Sequence, residues 1–485
     1  MNKYIESKIL HNNKVIALFY FAAIFLVYCP TILFNYAFSD DWSTLEAVFS
    51  GVGSPFQWDI QSGRPLYAVA RHFGFMLVHS MNDLVYLRIF TMISIMALSL
   101  YLFLFVDGRL IFDSQLTRAT FPLLICFIPA LQVYSAWATC FPFVLSILLS
   151  GFSYSILIPK NKKTSIARCF FSVIMLWLAF SIYQPTAMSF LFFAMLDNCF
   201  RKNQNLTTLN ISLIAMILSA GMVGSLILSK FLPVWMYGSS LPRSEITNDL
   251  YGKIHWFIKE PLVNAINNFN ISPTNFFTIF SSILIIAGMI SIVKSEAGKL
   301  KLLAFISMGI GAYTPNLLIA ESWAAFRSLI ALEIFTCTIV FIGLTEIAKK
   351  LKITELTTYV VMLLVMTSAS YNIIGGFIIP QKSELMSLSS AISNKVEKSY
   401  TGELMFDIGD PAYNAFSITQ RYDEFGNISL ATPWAIKGMA EQIRLKKSMN
   451  FKLTDDVILK YPEQCKSNCI TIKTGNAMRD STVNY

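Results

Sequence analysis

Long runs of apolar residues separated by short polar segments fill most of this 485-residue chain. A helix needs about 20 apolar residues to cross the hydrocarbon core of a bilayer. Eleven runs approach that length, and they are 15–34, 84–106, 119–134, 139–158, 169–182, 183–198, 212–233, 275–293, 302–319, 328–346 and 357–379. The fifth and sixth are short enough to be half-helices. The pattern predicts an all-α polytopic membrane protein with about eleven transmembrane helices.

The polar segments between these runs differ in their content of basic residues. With the N-terminus in the cytoplasm, seventeen Lys and Arg fall in inward segments and only seven in outward ones. The positive-inside rule therefore favours this orientation, and an odd number of spans places everything after about residue 380 outside. The run 15–34 is too long for a signal-peptide core, so we interpret it as an uncleaved signal anchor.

The outward segments divide the chain into two regions. A membrane domain, 1–379, has long outward loops at 35–83 and 234–274, where short amphipathic stretches predict helices lying along the membrane interface. The region 380–485 is large enough for a small outward domain. It contains strand-like segments at 403–408 and 469–473 and a helical pattern at 435–449. We expect a small C-terminal α/β domain in the periplasm.

Composition agrees with a membrane protein, since 55% of residues are hydrophobic and 14% are charged. Soluble domains have about 25% charged residues. The net charge of +9 comes almost wholly from the membrane region, because 380–485 holds 13 basic and 12 acidic residues. The basic balance thus reflects orientation in membrane lipids and does not indicate nucleic-acid binding.

The C-terminal region contains Cys465 and Cys469, spaced as Cys-x3-Cys. In an oxidising compartment this spacing predicts a local disulfide. A metal site there has little support, because no histidine follows residue 255. No phosphate-binding or dinucleotide-binding glycine motif is found, so we expect no metal and no cofactor. This absence also argues against a nucleotide-sugar donor.

The acidic pair Asp40 and Asp41, in Phe38-Ser-Asp-Asp-Trp42, follows the first apolar run. Carboxylates at the edge of a bilayer are costly to desolvate, so an adjacent pair suggests a function. One could accept a proton as a general base while the other orients an acceptor or braces an arginine. Their repulsion would raise one pKa. The alternative is that they cap a helix that begins near Trp42.

A second motif in the same loop, Ser62-Gly-Arg-Pro-Leu-Tyr67, holds Arg64 between Gly and Pro. Arg64 could bind a phosphate bidentately, pair with Asp41 or contact a lipid headgroup. Arg71 is a further candidate cation. Trp42 and Tyr67, which end the two motifs, are candidate substrate contacts.

The short outward turn Glu321-Ser-Trp-Ala-Ala-Phe-Arg327 brings a carboxylate and a guanidinium to the membrane surface. Glu321 could bind the acceptor and Arg327 a phosphate, or the two could form an ion pair that stabilises the turn. Glu333, inside the next span, is either a site residue or a helix-to-helix hydrogen-bonding group. Trp137 and Tyr183 could stack on sugars, although aromatic residues of the interfacial belt look the same.

Together, Phe-Ser-Asp-Asp-Trp and Ser-Gly-Arg-Pro-Leu-Tyr on a chain of this length resemble the type II O-antigen glucosyltransferases of serotype-converting bacteriophages. This family is similar to the GT-C class of polytopic glycosyltransferases. The resemblance implies transfer of glucose from undecaprenyl-phosphate-glucose to lipid-linked O-antigen at the periplasmic face of the bacterial inner membrane. It implies that Asp40 or Asp41 is the base of an inverting single displacement. It also implies two functional partners, a bactoprenol glucosyltransferase and a small flippase.

Three other classes remain open. An O-antigen polymerase also works outside on lipid-linked sugars, but would be expected to have an arginine-rich central outward loop, and 234–274 contains only Arg243. A lipid-linked sugar flippase should have several charges within its spans, where Glu333 stands nearly alone. A membrane acyltransferase would favour a buried histidine, for which His72 and His79 are the candidates.

Overall fold

The computed structural model describes residues 13–52, 54–160, 164–201, 208–239, 241, 245–272, 274–407, 421, 424–432, 434–454, 457–458, 465 and 468–474. In this part the chain is mostly helical and has few strands. Arg243 lies outside the described residues. Seven described helices are long and apolar enough to cross a membrane: Lys14–Leu33, Met81–Gly108, Ala138–Leu157, Asn210–Tyr237, Asn275–Lys294, Phe326–Lys350 and Thr354–Lys395.

An eighth candidate span is broken into two helices, Gln115–Cys126 and Pro129–Ala136, which meet at an angle of 53°. The break comes just before Pro129, and Ile128 has an extended backbone with a ψ of 156°. Proline disfavours the helical conformation of the residue before it, so the sequence itself ends the first helix here.

The other three predicted spans are shorter in the structure. The run 169–182 forms the 17-residue helix Ile166–Ile182. The run 183–198 forms Gln184–Ala187, Ser189–Met195 and a π-helical turn, Leu196–Phe200. The run 302–319 forms Gly298–Gly311 and Thr314–Leu318. A count of eleven crossings therefore stays a prediction.

The helix Phe326–Lys350 is the most enclosed of the seven, since 83% of the residues in its apolar 18-residue stretch are buried. It packs closely on Asn275–Lys294. A Cβ atom on Gly343 would lie 1.9 Å from the carbonyl oxygen of Leu284, and one on Gly288 would lie 2.5 Å from that of Ile339. Small residues allow such backbone contact between helices, so these two glycines set the spacing.

In their described residues, the two long loops 35–83 and 234–274 consist largely of short helices. The first contains Asp40–Phe49, hereafter the acidic helix, followed by Phe56–Gln61 and Pro65–Phe75. The second contains Leu250–Lys259 and Pro261–Asn267.

The last apolar helix continues beyond the predicted end of the membrane domain. Thr354–Ile373, the π-helical turn Ile374–Ile378 and Ile379–Lys395 follow without interruption. Pro380 is the second residue after the π turn, whose wider geometry accommodates a residue that cannot donate a backbone hydrogen bond. The predicted boundary at 379/380 therefore falls inside one continuous helix.

The described part of the tail contains both β-strands and an α-helix. Strands β1 (Glu403–Asp407) and β2 (Cys469–Lys473) pair in parallel, although Ile408 of the predicted strand lies outside the described residues. The helix Ala435–Lys447, hereafter the tail helix, ends two residues earlier than predicted, and Ser448 then takes a left-handed conformation. The Sγ atoms of Cys465 and Cys469 are bonded.

The tail shares a hydrophobic core with the membrane part. Trp42 and Leu45 of the acidic helix, Leu388 of the last long helix, Phe406 of β1 and Met439 of the tail helix belong to one buried cluster. The tail thus packs directly against the acidic motif.

Candidate active site at the acidic helix

The structure gives the two adjacent aspartates different environments. Asp41 is fully buried. Its Oδ1 accepts a hydrogen bond from the backbone N–H of Thr139 at 2.9 Å. Its Oδ2 accepts from the N–H groups of Phe38, at 3.1 Å, and Ala138, at 3.3 Å. The carboxylate therefore ties the start of the acidic helix to the segment 138–139.

Burial raises the pKa of Asp41 to about 6, whereas Arg88 and the three backbone N–H groups act in the opposite direction. Burial, and not repulsion from Asp40, is thus the main cause of the shift. This corrects the expectation from sequence. Arg88 Nη2 lies 3.8 Å from Asp41 Oδ2 and also donates to the carbonyl of Tyr36 at 2.7 Å. Asp41 therefore does brace an arginine, but that arginine is Arg88.

Asp40 keeps part of its surface exposed. Its Oδ1 accepts a hydrogen bond from Trp434 Nε1, in the tail, at 2.9 Å. Asp40 and Asp41 are the first two residues of the acidic helix, where negative charge is favourable. The N-cap is Ser39, whose side chain makes no capping hydrogen bond, so neither aspartate has the predicted capping role.

The backbone at Ser39 is held in a sparsely populated conformation, with a φ of +46°. A side chain at positive φ is usually strained and persists only where surrounding contacts enforce it. Here the Ser39 N–H donates to Ser429 Oγ at 2.9 Å. Ser429 Oγ donates in turn to Gln381 Oε1 at 2.6 Å. The tail and the last long helix thus hold the turn that leads into the acidic pair.

Arg71 lies inside the fold and does not face an open site. It is 4% exposed, and its Nη1 lies 3.1 Å from Asp59 Oδ1. Its Nη2 donates to Thr44 Oγ1. Burial raises the pKa of Asp59, against the effect of Arg71. Sequence reasoning did not single out Asp59, which lies between the two motifs without a distinguishing neighbour.

Arg64 stacks on an aromatic ring and does not pair with Asp41. Its guanidinium carbon lies 4.8 Å from the ring centre of Tyr183, and Gln184 Nε2 donates to the adjacent Gly63 carbonyl at 3.0 Å. Arg64 Nε is buried and has no hydrogen-bond partner among the described residues. A guanidinium held by a cation–π contact keeps its N–H donors available for an anion.

Arg327 contacts a tail residue that sequence reasoning missed. Glu424, fully buried, accepts from the backbone N–H groups of Phe326 and Arg327, each at 2.8 Å. Arg327 Nη1 lies 3.3 Å from the same carboxylate, and its guanidinium carbon lies 5.0 Å from the Trp137 ring centre. Glu424 thus satisfies the free N–H groups at the start of the helix Phe326–Lys350.

Glu321 and Arg327 do not form the predicted turn ion pair, because Arg327 is held by Glu424. Glu321 is exposed, and its backbone carbonyl accepts a hydrogen bond at 2.7 Å from Lys253 Nζ, in the loop 234–274.

Three aromatic candidates are buried. Trp42 is 1% exposed, Tyr67 donates its hydroxyl to the Thr139 carbonyl at 3.1 Å, and Trp137 packs edge-on against Phe38 at 4.8 Å. These side chains shape the wall behind the acidic pair and present no open face for a sugar.

Glu333 is also buried, and its Oε2 accepts from the Ala130 N–H, in the bent pair, at 3.2 Å. Glu333 therefore forms a hydrogen bond between two helices, which is the second of the two roles that the sequence left open for it. Among the described residues, no group of three or more His, Cys, Asp and Glu could hold a metal ion.

Several of the candidate residues meet around the segment 137–139. Arg327 stacks on Trp137, and the next two residues, Ala138 and Thr139, donate backbone hydrogen bonds to Asp41. Arg64 stacks on Tyr183, whose ring stacks in turn on Phe143. The arrangement therefore combines one partly exposed carboxylate with two aromatic-supported guanidinium groups.

Comparison with family models, with curated proteins and with solved structures found no match.

Proposed function

We propose that this chain is a polyprenyl-phosphate-sugar-dependent glycosyltransferase of the bacterial inner membrane. By its resemblance it would move glucose from undecaprenyl-phosphate-glucose to lipid-linked O-antigen. The observation that carries the proposal is a partly exposed carboxylate, Asp40, together with two guanidinium groups, Arg64 and Arg327, that each stack on an aromatic ring. A proton acceptor and cations for a phosphate leaving group are what such a transfer needs.

The distribution of the connecting segments supports the predicted orientation. Lys349 pairs with Asp113 at 3.6 Å, and Arg109 lies 3.2 Å from Asp197. These basic residues belong to segments predicted to be inward. Seven described helices, or eight with the bent pair, are long and apolar enough to cross a membrane. The proposed eleven crossings and periplasmic tail add to these the three shorter runs.

The proposed reaction is a single displacement. Asp40 takes the proton of an acceptor hydroxyl as its oxygen forms a bond to the anomeric carbon of the donor sugar. The bond between that carbon and the phosphate oxygen breaks, and polyprenyl phosphate leaves with the bonding electrons. Attack from the side opposite the phosphate inverts the anomeric configuration. Arg64 and Arg327 stabilise the charge that develops on the phosphate.

We assign the base to Asp40 and not to Asp41 because of accessibility. Both oxygens of Asp41 accept backbone hydrogen bonds in a closed environment, so an acceptor sugar has no approach to them. We assign a structural role in holding the site together to three buried residues, Arg71, Trp42 and Tyr67.

The test is transfer of labelled glucose from purified undecaprenyl-phosphate-glucose to lipid-linked O-antigen. Asp40→Asn should lower the rate by about a hundredfold or more while leaving the fold intact, because it removes the base. Asp249→Asn is the matched control, since Asp249 is an outward carboxylate that caps a helix and asparagine caps equally well. A folded Asp40→Asn protein with a near-parental rate would show that the base assignment is wrong.

A further inference from the structure

Trp434 combines exposure with a fixed orientation. The side chain is 54% exposed, yet its indole Nε1 donates to Asp40 Oδ1 at 2.9 Å. Exposed tryptophans usually contribute little to a fold, whereas this ring is tied by its polar edge to the proposed base.

The surroundings of Trp434 hold its backbone in place. It is the N-cap of the tail helix, whose Gly438 is so close to the acidic helix that an added Cβ would lie 2.1 Å from the Trp42 carbonyl. Lys437 Nζ lies 3.2 Å from Glu46 Oε1, also across the two helices. The indole ring is therefore presented by two packed helices and not by a free loop.

A fixed aromatic face beside a general base suits one class of ligand. The face of an indole ring carries partial negative charge, and the C–H groups on one side of a pyranose carry partial positive charge. A sugar stacked on the ring would place its hydroxyl groups at the rim, within reach of the Asp40 carboxylate. Because the ring is already fixed before the sugar binds, less conformational entropy is lost on binding and the affinity is higher.

We propose that Trp434 is the stacking platform for the acceptor sugar, so that the tail supplies one wall of the acceptor subsite. The inference rests on the proposed function for the choice of a carbohydrate ligand. It adds a binding residue located 394 positions after Asp40 in the sequence.

The experiment measures binding of a delipidated, rhamnose-containing O-antigen repeat oligosaccharide to the full-length protein in nanodiscs, by thermophoresis without donor. Trp434→Phe keeps an aromatic face, and Trp434→Leu keeps apolar bulk without one. We expect Trp434→Leu to bind about tenfold more weakly and Trp434→Phe to stay within about threefold of the parent. Trp235→Ala is the matched control, since Trp235 is 72% exposed at the end of another helix, and its affinity should be unchanged.

Equal affinity of the parent and Trp434→Leu overturns the proposal, as does absence of oligosaccharide binding to the parent. A loss shared by Trp434→Leu and Trp235→Ala also overturns it, because the effect is then not specific to the site. Thermal unfolding of each variant checks that the chain is folded. Because no donor is present, no sugar is transferred. The measured affinity therefore does not depend on which residue acts as the general base. An active Asp40→Asn protein would contradict the base assignment and leave this result standing.

Discussion

Adjacent residues of the same type take different roles when one side chain faces the interior and the next faces outward. Asp41 makes three backbone hydrogen bonds and is closed off, whereas Asp40 makes one to an indole and stays partly exposed. Backbone hydrogen bonds and a nearby guanidinium partly offset the cost of burying Asp41. This carboxylate is best understood as an anchor that fixes the position of its neighbour.

The pKa of Asp41 gives a prediction for stability against pH. Its folded value of about 6 lies above the ordinary 3.8, so the folded chain binds this proton more tightly than the unfolded chain. The stability contributed by this group should therefore fall as pH rises from about 4 to about 6, by a total on the order of 3 kcal/mol, and then level off.

The measurement is the melting temperature of the purified parent and of Asp41→Asn between pH 4 and 8. The difference between the two curves isolates this residue from the other titrating groups. A constant difference across that range would contradict the assignment of the shift to Asp41.

A second prediction about a single residue concerns Glu424. Glu424→Gln replaces one acceptor oxygen with an NH₂ group that cannot accept the N–H of Phe326 or Arg327. We expect a loss of about 1–3 kcal/mol in unfolding free energy, because a buried donor is left unsatisfied. Chemical denaturation measures it, with Glu441→Gln as control, since the partner of Glu441 among the described residues is Arg444 on the same helix turn. Equal losses in both variants would contradict a special role for Glu424.

The contact between the acidic helix and the tail helix is the element on which the site depends. Glycine in a helix interior normally costs up to about 1 kcal/mol relative to alanine, so Gly→Ala is usually stabilising. Gly438 is an exception, because its Cβ would overlap the Trp42 carbonyl. We expect Gly438→Ala to destabilise the protein by about 1–3 kcal/mol and to lower transfer by separating Trp434 from Asp40.

The control for this substitution is Gly108→Ala, at a helix end where nothing lies within 4 Å of the added atom. Melting temperature and transfer rate are measured for both variants. A Gly438→Ala protein as stable and active as Gly108→Ala would show that the two helices need not touch.

The sequence predicted elements better than it predicted contacts. The run 275–293 corresponds to the helix Asn275–Lys294, because uninterrupted apolar residues define such a helix locally. The boundary between the runs 169–182 and 183–198 coincides with the extended backbone at Tyr183. The break inside 183–198, at Met188 between Gln184–Ala187 and Ser189–Met195, was not predicted, because no proline or glycine marks it. The partners of the acidic pair, Arg88 and Trp434, have no local signal, because only tertiary packing brings them near. The exposure that separates Asp40 from Asp41 has the same origin.

At the scale of the whole molecule, the orientation in the membrane determines which reaction is available. Leu250 and Leu351 are both exposed, and they belong to segments predicted to face outward and inward, respectively. We expect Leu250→Cys to react with a membrane-impermeant maleimide in cells whose outer membrane is permeabilised, and Leu351→Cys to react only after lysis. The unsubstituted chain corrects for its own cysteines. The reverse pattern would place the acidic pair in the cytoplasm, where the proposed periplasmic transfer could not occur.

The hydrogen bond between Ser39 and Ser429 joins positions 390 residues apart. At bacterial rates of synthesis, about 20 to 80 s separate the appearance of these two serines at the ribosome. A nascent chain already inserted through its first helices therefore carries the aspartate pair without the segment that fixes it. On the proposed function and orientation, catalytic competence would begin only after the last part of the polypeptide had been exported. A prematurely terminated chain would then occupy the bilayer without processing lipid-linked sugars.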